Sequence, residues 1–226
     1  MIQPIGDGIW SVPAPLTFFG LRLNTRMTVC RLTDGGLVLI SPVGLDDGLK
    51  AAIDALGPVR ALVSPNLLHH LYMGEWMDAY PDAQSFAPPG LDAKRPELAC
   101  THELGAAFDD TFGDELTRFP ISGMPRLNES IFFHVASATL IATDFCFFLP
   151  DATGLTGLFA SVMGITKKTK CEPAFRALVR DRNAFRTSLE PLRNLTIRHL
   201  SMCHHSVLST EAPAALDGVL KQLKVP

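Results

Sequence analysis

Two histidine doublets and one aspartate are the side chains in this sequence best suited to hold a metal ion. His69-His70 follow an apolar run at residues 60–64. Asp144 closes Leu140-Ile141-Ala142-Thr143-Asp144, and His204-His205 follow a second apolar run at residues 195–202. Imidazole nitrogen and carboxylate oxygen bind a hard or borderline divalent cation at ~2.0 to 2.2 Å when rigid elements from separate parts of the chain bring them together. Neighbouring residues point in different directions, so only one member of each doublet can normally face a shared ion. Each group also has an ordinary explanation. His69 and His70 would fit a first helical turn, one packed and one solvated; Asp144 would cap backbone N–H groups; His204 and His205 would be a satisfied pair near Ser206. Residue type alone does not separate ligation from these alternatives.

Other reactive residues are weaker candidates. Cys203 beside His204 offers a thiolate–imidazole pair, but adjacent strand residues face opposite sides, so a core cysteine is expected. Cys146, two residues beyond Asp144, would share its side in a continuing strand and is an alternate ligand. His134 reads as a packed or edge histidine. Glu75 reads as a solvated helix acid, with support of a ligand from behind as the sharper role. Lys167, Lys168 and Lys170 with Arg176, Arg180, Arg182 and Arg186 form the main basic concentration. Spacings of four put Arg176 with Arg180, Arg182 with Arg186, and Glu172 with Arg176 on shared helix sides. A solvated face is expected there; the sharper reading is an anion-attracting rim.

The elements that must position these residues alternate between strand and helix. Residues 8–12 and 26–32 read as strands. Asp34-Gly35-Gly36 is a turn, because glycine accepts positive φ without a side-chain clash, and residues 37–41 complete a hairpin. Leu49, Ala52, Ile53 and Leu56 mark an amphipathic helix over 45–56 ended by Gly57. After the strand at 60–64 the spacing predicts a helix from about Leu67 to Tyr80, stopped by Pro81. Residues 81–113 read as loops with one strand at 84–87. Strands are expected at 116–121, 130–135 and 139–143, then an irregular stretch to Lys170, a long helix over 173–192, a strand at 195–202 and a helix over 209–223. Such alternation indicates a layered α/β domain, expected to span residues 1–226 as one unit.

Composition narrows the partners. Twenty basic and 23 acidic residues leave a net charge of -3, which disfavours a protein-wide cationic field for nucleic acid or anionic lipid. The most apolar run, residues 36–45, falls well short of the ~20 residues that span a bilayer. Five widely spaced cysteines without a C-x-x-C pair fit neither a disulfide scaffold nor a zinc ribbon, so a reducing cytoplasm is expected. A small molecule is the expected partner, with neither nucleic acid nor membrane. Oligomeric state is left open.

The order of elements, with VRALVSPNLLHHLYMGEW, ATLIATDF and LSMCHHSVL, resembles the metallo-β-lactamase fold superfamily, and more closely its DUF4336-type branch, in which P-N-x-x-H-H stands in place of the usual metal motif. The resemblance implies a four-layer αββα sandwich, a site at the shared edge of two sheets, and a hydrolase in which one or two zinc or iron ions activate water. The superfamily's H-x-H-x-D-H motif, anchored on Gly74, falls on Leu67, His69, Leu71 and Tyr72, so only His69 survives. The next ligand position falls on Met124, which cannot bind a hard metal. The bridging aspartate matches Asp144, and the last histidine matches His204, with His205 where a glycine is usual. The implied site is depleted and at most mononuclear, held by His69, Asp144 and His204, with His70 and His205 as alternates. The competing expectation is a non-catalytic protein without metal, its Leu67, Leu71, Tyr72 and Met124 lining or filling a dry pocket. A thiol enzyme using Cys203 is a third, minor option.

Overall fold

The computed structural model describes residues 1–204 and 207–225. In chain order the first half runs β1 (Gln3–Gly6), β2 (Ile9–Ala14), β3 (Thr17–Phe18), β4 (Leu21–Arg22), β5 (Thr25–Arg31), β6 (Leu37–Ile40), α1 (Asp47–Asp54), β7 (Val59–Val63), α2 (Met73–Ala79), β8 (Gln84–Ala87), α3 (Leu91–Lys94), β9 (His102–Glu103) and α4 (Ala106–Phe112). The second runs β10 (Leu116–Pro120), β11 (Ser130–His134), β12 (Thr139–Ala142), α5 (Gly154–Met163), α6 (Pro173–Ala177), α7 (Arg182–Leu189), a 3-10 turn (Glu190–Asn194), β13 (His199–Met202), β14 (Val207–Leu208) and α8 (Ala212–Leu223).

Among the described residues one sheet has the order β1-β2-β5-β6-β7-β8-β9 and the other β10-β11-β12-β13-β14, with β3 and β4 forming a separate small hairpin. Burial of successive residues on both strand faces explains their near-continuous apolar sequences. In β6, Val38 and Ile40 join Phe86, Phe108, Phe132 and Ile141 in the core between the sheets. Leu37 and Leu39 point the other way, packing with Ile53, Met73 and Trp76 of α1 and α2. The outer face of the second sheet carries Ile131, Leu140, Leu200 and Met202 against Phe175, Phe185, Leu189, Leu216 and Leu220 of α6, α7 and α8. The layers are therefore helix, sheet, sheet, helix: the αββα sandwich. The hairpin at 34–36 forms as expected, with Gly35 at φ 85.

Several elements depart from expectation for local reasons. The helix expected from Leu67 begins only at Met73, because the Asn66 side chain accepts from Leu68 and His69 N–H at 2.8 and 3.0 Å and offers the backbone a turn instead. The helix expected over 173–192 is broken. Arg180 N–H donates to Gly123 O at 2.8 Å, outside any helical ladder, and Asp181 then caps α7. Arg176 and Arg180 consequently do not share one helix, and Glu172 caps α6 by accepting from Ala174 and Phe175 N–H. The stretch expected to be irregular contains α5. Its glycines hid it, although Gly157 is required there, since a Cβ would stand 2.5 Å from Ala152 O. The loops expected over 81–113 contain α3, β9 and α4 as well as β8. The strand expected from 195 is only His199–Met202.

Candidate metal centre

β6 and β7 run parallel, as do β12 and β13. The chain leaves the C-terminal ends of all four strands on the same rim of the sandwich, the usual gathering place for binding groups in α/β sheets. Ser41 follows β6, His69 lies in the turn after β7, Asp144 follows β12, and His204 follows β13.

The structure brings His69, Asp144 and His204 together: one ligand atom from each lies within 4.8 Å of the other two. His69 Nε2 is 3.3 Å from Asp144 Oδ2, and His204 Nε2 is 3.4 Å from Asp144 Oδ1. Both separations exceed the ~2.7 to 2.9 Å of a charge-assisted N–H···O bond. They match the roughly 3.4 Å edge between two ligands that share a tetrahedral ion at ~2.1 Å.

The remaining ring nitrogens have their own partners. His204 Nδ1 donates to Asn24 O at 2.8 Å, which leaves the Nε2 lone pair aimed at the cluster. His69 Nδ1 meets Ser41 Oγ at 2.8 Å and Cys203 Sγ at 3.4 Å. If Nδ1–H donates to Ser41, Nε2 of His69 is free to ligate in the same way. The Phe147 ring stacks on His204 with centroids 5.2 Å apart. Donor type, spacing and the orientation of His204 thus fit one divalent cation.

Behind the three lies a second set of residues that sequence reasoning missed. Asn66 Nδ2 donates to Asp144 Oδ2 at 2.9 Å and to Thr143 Oγ1 at 3.1 Å, while its Oδ1 holds the His69 turn. Glu129 Oε1 accepts from the N–H groups of Thr143, Asp144 and Phe145, each at 3.1 Å, and from Thr143 Oγ1 at 2.8 Å, fixing the loop that carries the aspartate. Asn66 was visible as the N of P-N-x-x-H-H. Glu129 gave no local signal, because its partners are 14 to 16 residues away.

Burial opposes ionisation of every member, yet mutual pairing prevails at the centre. Burial would lower His69, but Cys203 and Asp144 hold it well above its ordinary value. His204 is likewise raised against burial by Asp144 and Cys203. Burial would raise Asp144, and the two imidazoles hold it far below the usual carboxylate range. Glu129 is pushed up to about 7 by burial, then by the charge of Asp144, against the pull of its Thr143 hydrogen bonds. The cluster is thus a place where positive charge is favoured, as a cation site must be.

The other candidates fall elsewhere. His70 turns away, its Nδ1 3.0 Å from an Arg95 guanidinium nitrogen; burial, then Lys94 and Arg95, lower it to about 4. His205 lies outside the described residues, as does Ser206. Cys146 packs in the core of the second sheet, because β12 ends at Ala142 and the alternation that would align it with Asp144 stops there. Cys203 is buried as expected, but β13 ends at Met202, so the argument from alternating faces fails and its sulfur meets His69. Burial would raise this thiol; His69 and His204 bring it down to about 6. Its Sγ donates to Arg26 O at 3.1 Å, and it is absent from the cavity wall, which denies it to a substrate. Glu75 accepts from Leu45 N–H, remote from the cluster. His134 is packed, against Ser137 Oγ at 2.8 Å. Met124 is core, whereas Leu71 and Tyr72 line an open cavity of about 640 Å³ that reaches His69, Asp144 and His204.

Residues 6–156 match the model of a family described as Domain of unknown function (DUF4336). No curated protein matches. The fold is similar to that of a metallo-β-lactamase from Pontibacter korlensis, at TM-score 0.65 and 13% identity over 100% of this chain and 99% of that one. It is also similar to the DIM-1 metallo-β-lactamase exposed to ceftazidime (TM-score 0.67, 12% identity, 99% and 96% covered). A third similar structure is the FIM-1 metallo-β-lactamase from Pseudomonas aeruginosa in its mono-zinc form (TM-score 0.61, 12% identity, 100% and 96% covered). At such identities the likeness establishes the fold and carries no activity with it.

Proposed function

Because the chain belongs to the DUF4336 family and has a metallo-β-lactamase-like fold, we propose that it is a metal-dependent hydrolase with one divalent cation held by His69, Asp144 and His204. The observation that carries this reading is the pair of imidazole–carboxylate separations of 3.3 and 3.4 Å, together with the outward anchoring of His204 Nδ1 on Asn24 O. Zinc or iron is the ion such donors suit, and the mono-zinc FIM-1 structure offers a parallel for a single ion on this fold. When bound, the cation supplies Lewis acidity, polarising a substrate oxygen and making water a stronger nucleophile at neutral pH.

The chain's own residues supply the rest. Ser41 and Asn24 fix the two ring orientations, and the Asn66 amide holds the Asp144 carboxylate, the outer support that ligating groups generally need. Phe147 shields one face of His204 from water. Residues 1–226 are read as one domain, since the inter-sheet core draws on both halves and the similar folds cover 99 to 100% of the chain.

Elemental analysis of untagged protein purified without chelator tests the reading. One zinc or iron per chain, lost in His69→Ala and accompanied by loss of esterase or amidase turnover, is the expected result. Folded protein that takes up neither zinc, iron nor manganese overturns it.

A further inference from the structure

We propose that the cavity beside the His69–Asp144–His204 cluster takes a small amphiphile: an acyl chain along the apolar walls, with its ester, amide or carboxylate end at the cluster. The inference rests on the metal-site reading only for which end of the ligand faces the three residues.

The walls carry the argument. The β3–β4 hairpin and its flanks contribute Leu16, Phe18, Leu21 and Leu23, and the helical segments contribute Phe159 of α5 with Phe175 and Leu178 at α6. Three of the polar groups that touch the cavity away from the cluster already have protein partners. The Glu172 carboxylate accepts two helix N–H groups, the Lys94 ammonium donates to Leu67 O, and His70 is held by Arg95. Three polar side chains therefore converge at one end, His69, Asp144 and His204, while most of the remaining lining is apolar. A largely apolar cavity with polar groups converging at one end selects ligands by shape and hydrophobic area, with a polar head to fix orientation.

The surface around the opening points the same way. Of the nine exposed large apolar side chains among the described residues, Phe18, Phe19, Leu68 and Leu71 lie on cavity-lining segments, and Leu155, Leu158 and Val162 form a stripe on α5, which also lends Phe159 to the wall. Arg22 N–H donates to Thr156 Oγ1 at 2.8 Å, tying the hairpin to that helix. Phe19 is 90% exposed and the three α5 residues 64 to 73%. Exposed apolar area gathered on the segments that line a cavity, rather than scattered, marks a binding surface for an apolar ligand.

The test is displacement of 11-(dansylamino)undecanoic acid from the full-length protein by saturated fatty acids from hexanoic to tetradecanoic acid and by their methyl esters. Affinity is expected to rise roughly fourfold per added methylene until the space is filled. Leu71→Asp and Phe18→Asp, both at exposed positions that leave the folded core intact, should each weaken the longer ligands by about tenfold and flatten the chain-length slope. Flotation with phosphatidylcholine vesicles would identify a bilayer as the source of the chain, and displacement without flotation would identify soluble acyl compounds; both uphold the cavity assignment. Affinity independent of chain length, or a slope unchanged in both variants, overturns it. Stoichiometric metal without chain-length dependence sinks this inference alone. Chain-length-dependent displacement by a protein that binds no metal sinks the hydrolase reading alone.

Discussion

Ser41 Oγ lies 2.8 Å from Nδ1 of His69, reaching it from a backbone held at φ 57 just beyond the end of β6. A non-glycine residue in the left-handed region costs of order 1–3 kcal/mol, and such strain gathers where a side chain must be aimed. With Nδ1–H donated to this hydroxyl, Nε2 of His69 is left free to face Asp144. Ser41→Ala should therefore lower metal affinity by roughly tenfold to a hundredfold while barely moving the thermal unfolding midpoint. Competition with a chromophoric zinc chelator measures the first and a melting curve the second. Unchanged affinity together with loss of a pre-steady-state acyl burst would recast Ser41 as a nucleophile.

Asn66 joins the two halves of the site, donating to Asp144 and Thr143 and accepting from Leu68 and His69. Asn66→Ala removes all four bonds and leaves buried groups without partners, at a cost of about 2 kcal/mol or more. Asn66→Asp keeps the turn acceptor but sets a second carboxylate against Asp144. Urea unfolding should rank wild type above both variants, and metal content should fall in both. If Asn66→Ala keeps full metal content, the amide is not what holds Asp144 in place.

Legibility followed sequence distance. The strand-like runs of β5 and β6, the turn at Asp34-Gly35-Gly36 and the amphipathic α1 are local signals, and they form close to where the sequence puts them. The chain order of His69, Asp144 and His204 along a recognisable fold was legible too. What escaped was decided by tertiary partners: the Asn66 side chain overrode helix propensity over 67–72, and a carbonyl from residue 123 split the helix expected over 173–192. Cys203 is buried as expected, but its contact with His69 was hidden because alternation was extended one residue past the end of β13. Glu129, whose oxygen gathers the Asp144 loop, has no periodicity or motif to announce it.

Gly123 shows how a long-range contact fixes a residue type. It sits at φ 76, and a Cβ there would stand 2.2 Å from Asp181 O and 3.1 Å from Phe185 N, both backbone atoms. The carbonyl of Gly123 also accepts from Arg180 and Asp181 N–H. Gly123→Ala meets both the unfavourable φ and the clash, so a loss of about 2–4 kcal/mol is expected. Chemical denaturation checks this, and a loss below about 0.5 kcal/mol would mean that the α6–α7 junction yields freely.

His134 supplies a pH dependence away from the His69–Asp144–His204 cluster. Burial pushes its pKa below the ordinary value, more strongly than the Arg31 carbonyl and the charges of Glu115 and Asp7 pull it back. The native state therefore holds a neutral ring, hydrogen-bonded to Ser137, while the unfolded chain protonates near pH ~6.5. A group whose folded pKa is depressed in this way makes the unfolded state bind more protons as pH falls. Its stabilising effect is full above about 6.5 and is lost as pH drops from there through the folded pKa. The difference between wild type and His134→Gln isolates this side chain, because everything else in the two proteins is shared. That difference in unfolding free energy should shrink as pH is lowered from about 7.5 to about 5.5. A difference that stays constant, or grows, would mean that His134 is charged in the folded protein.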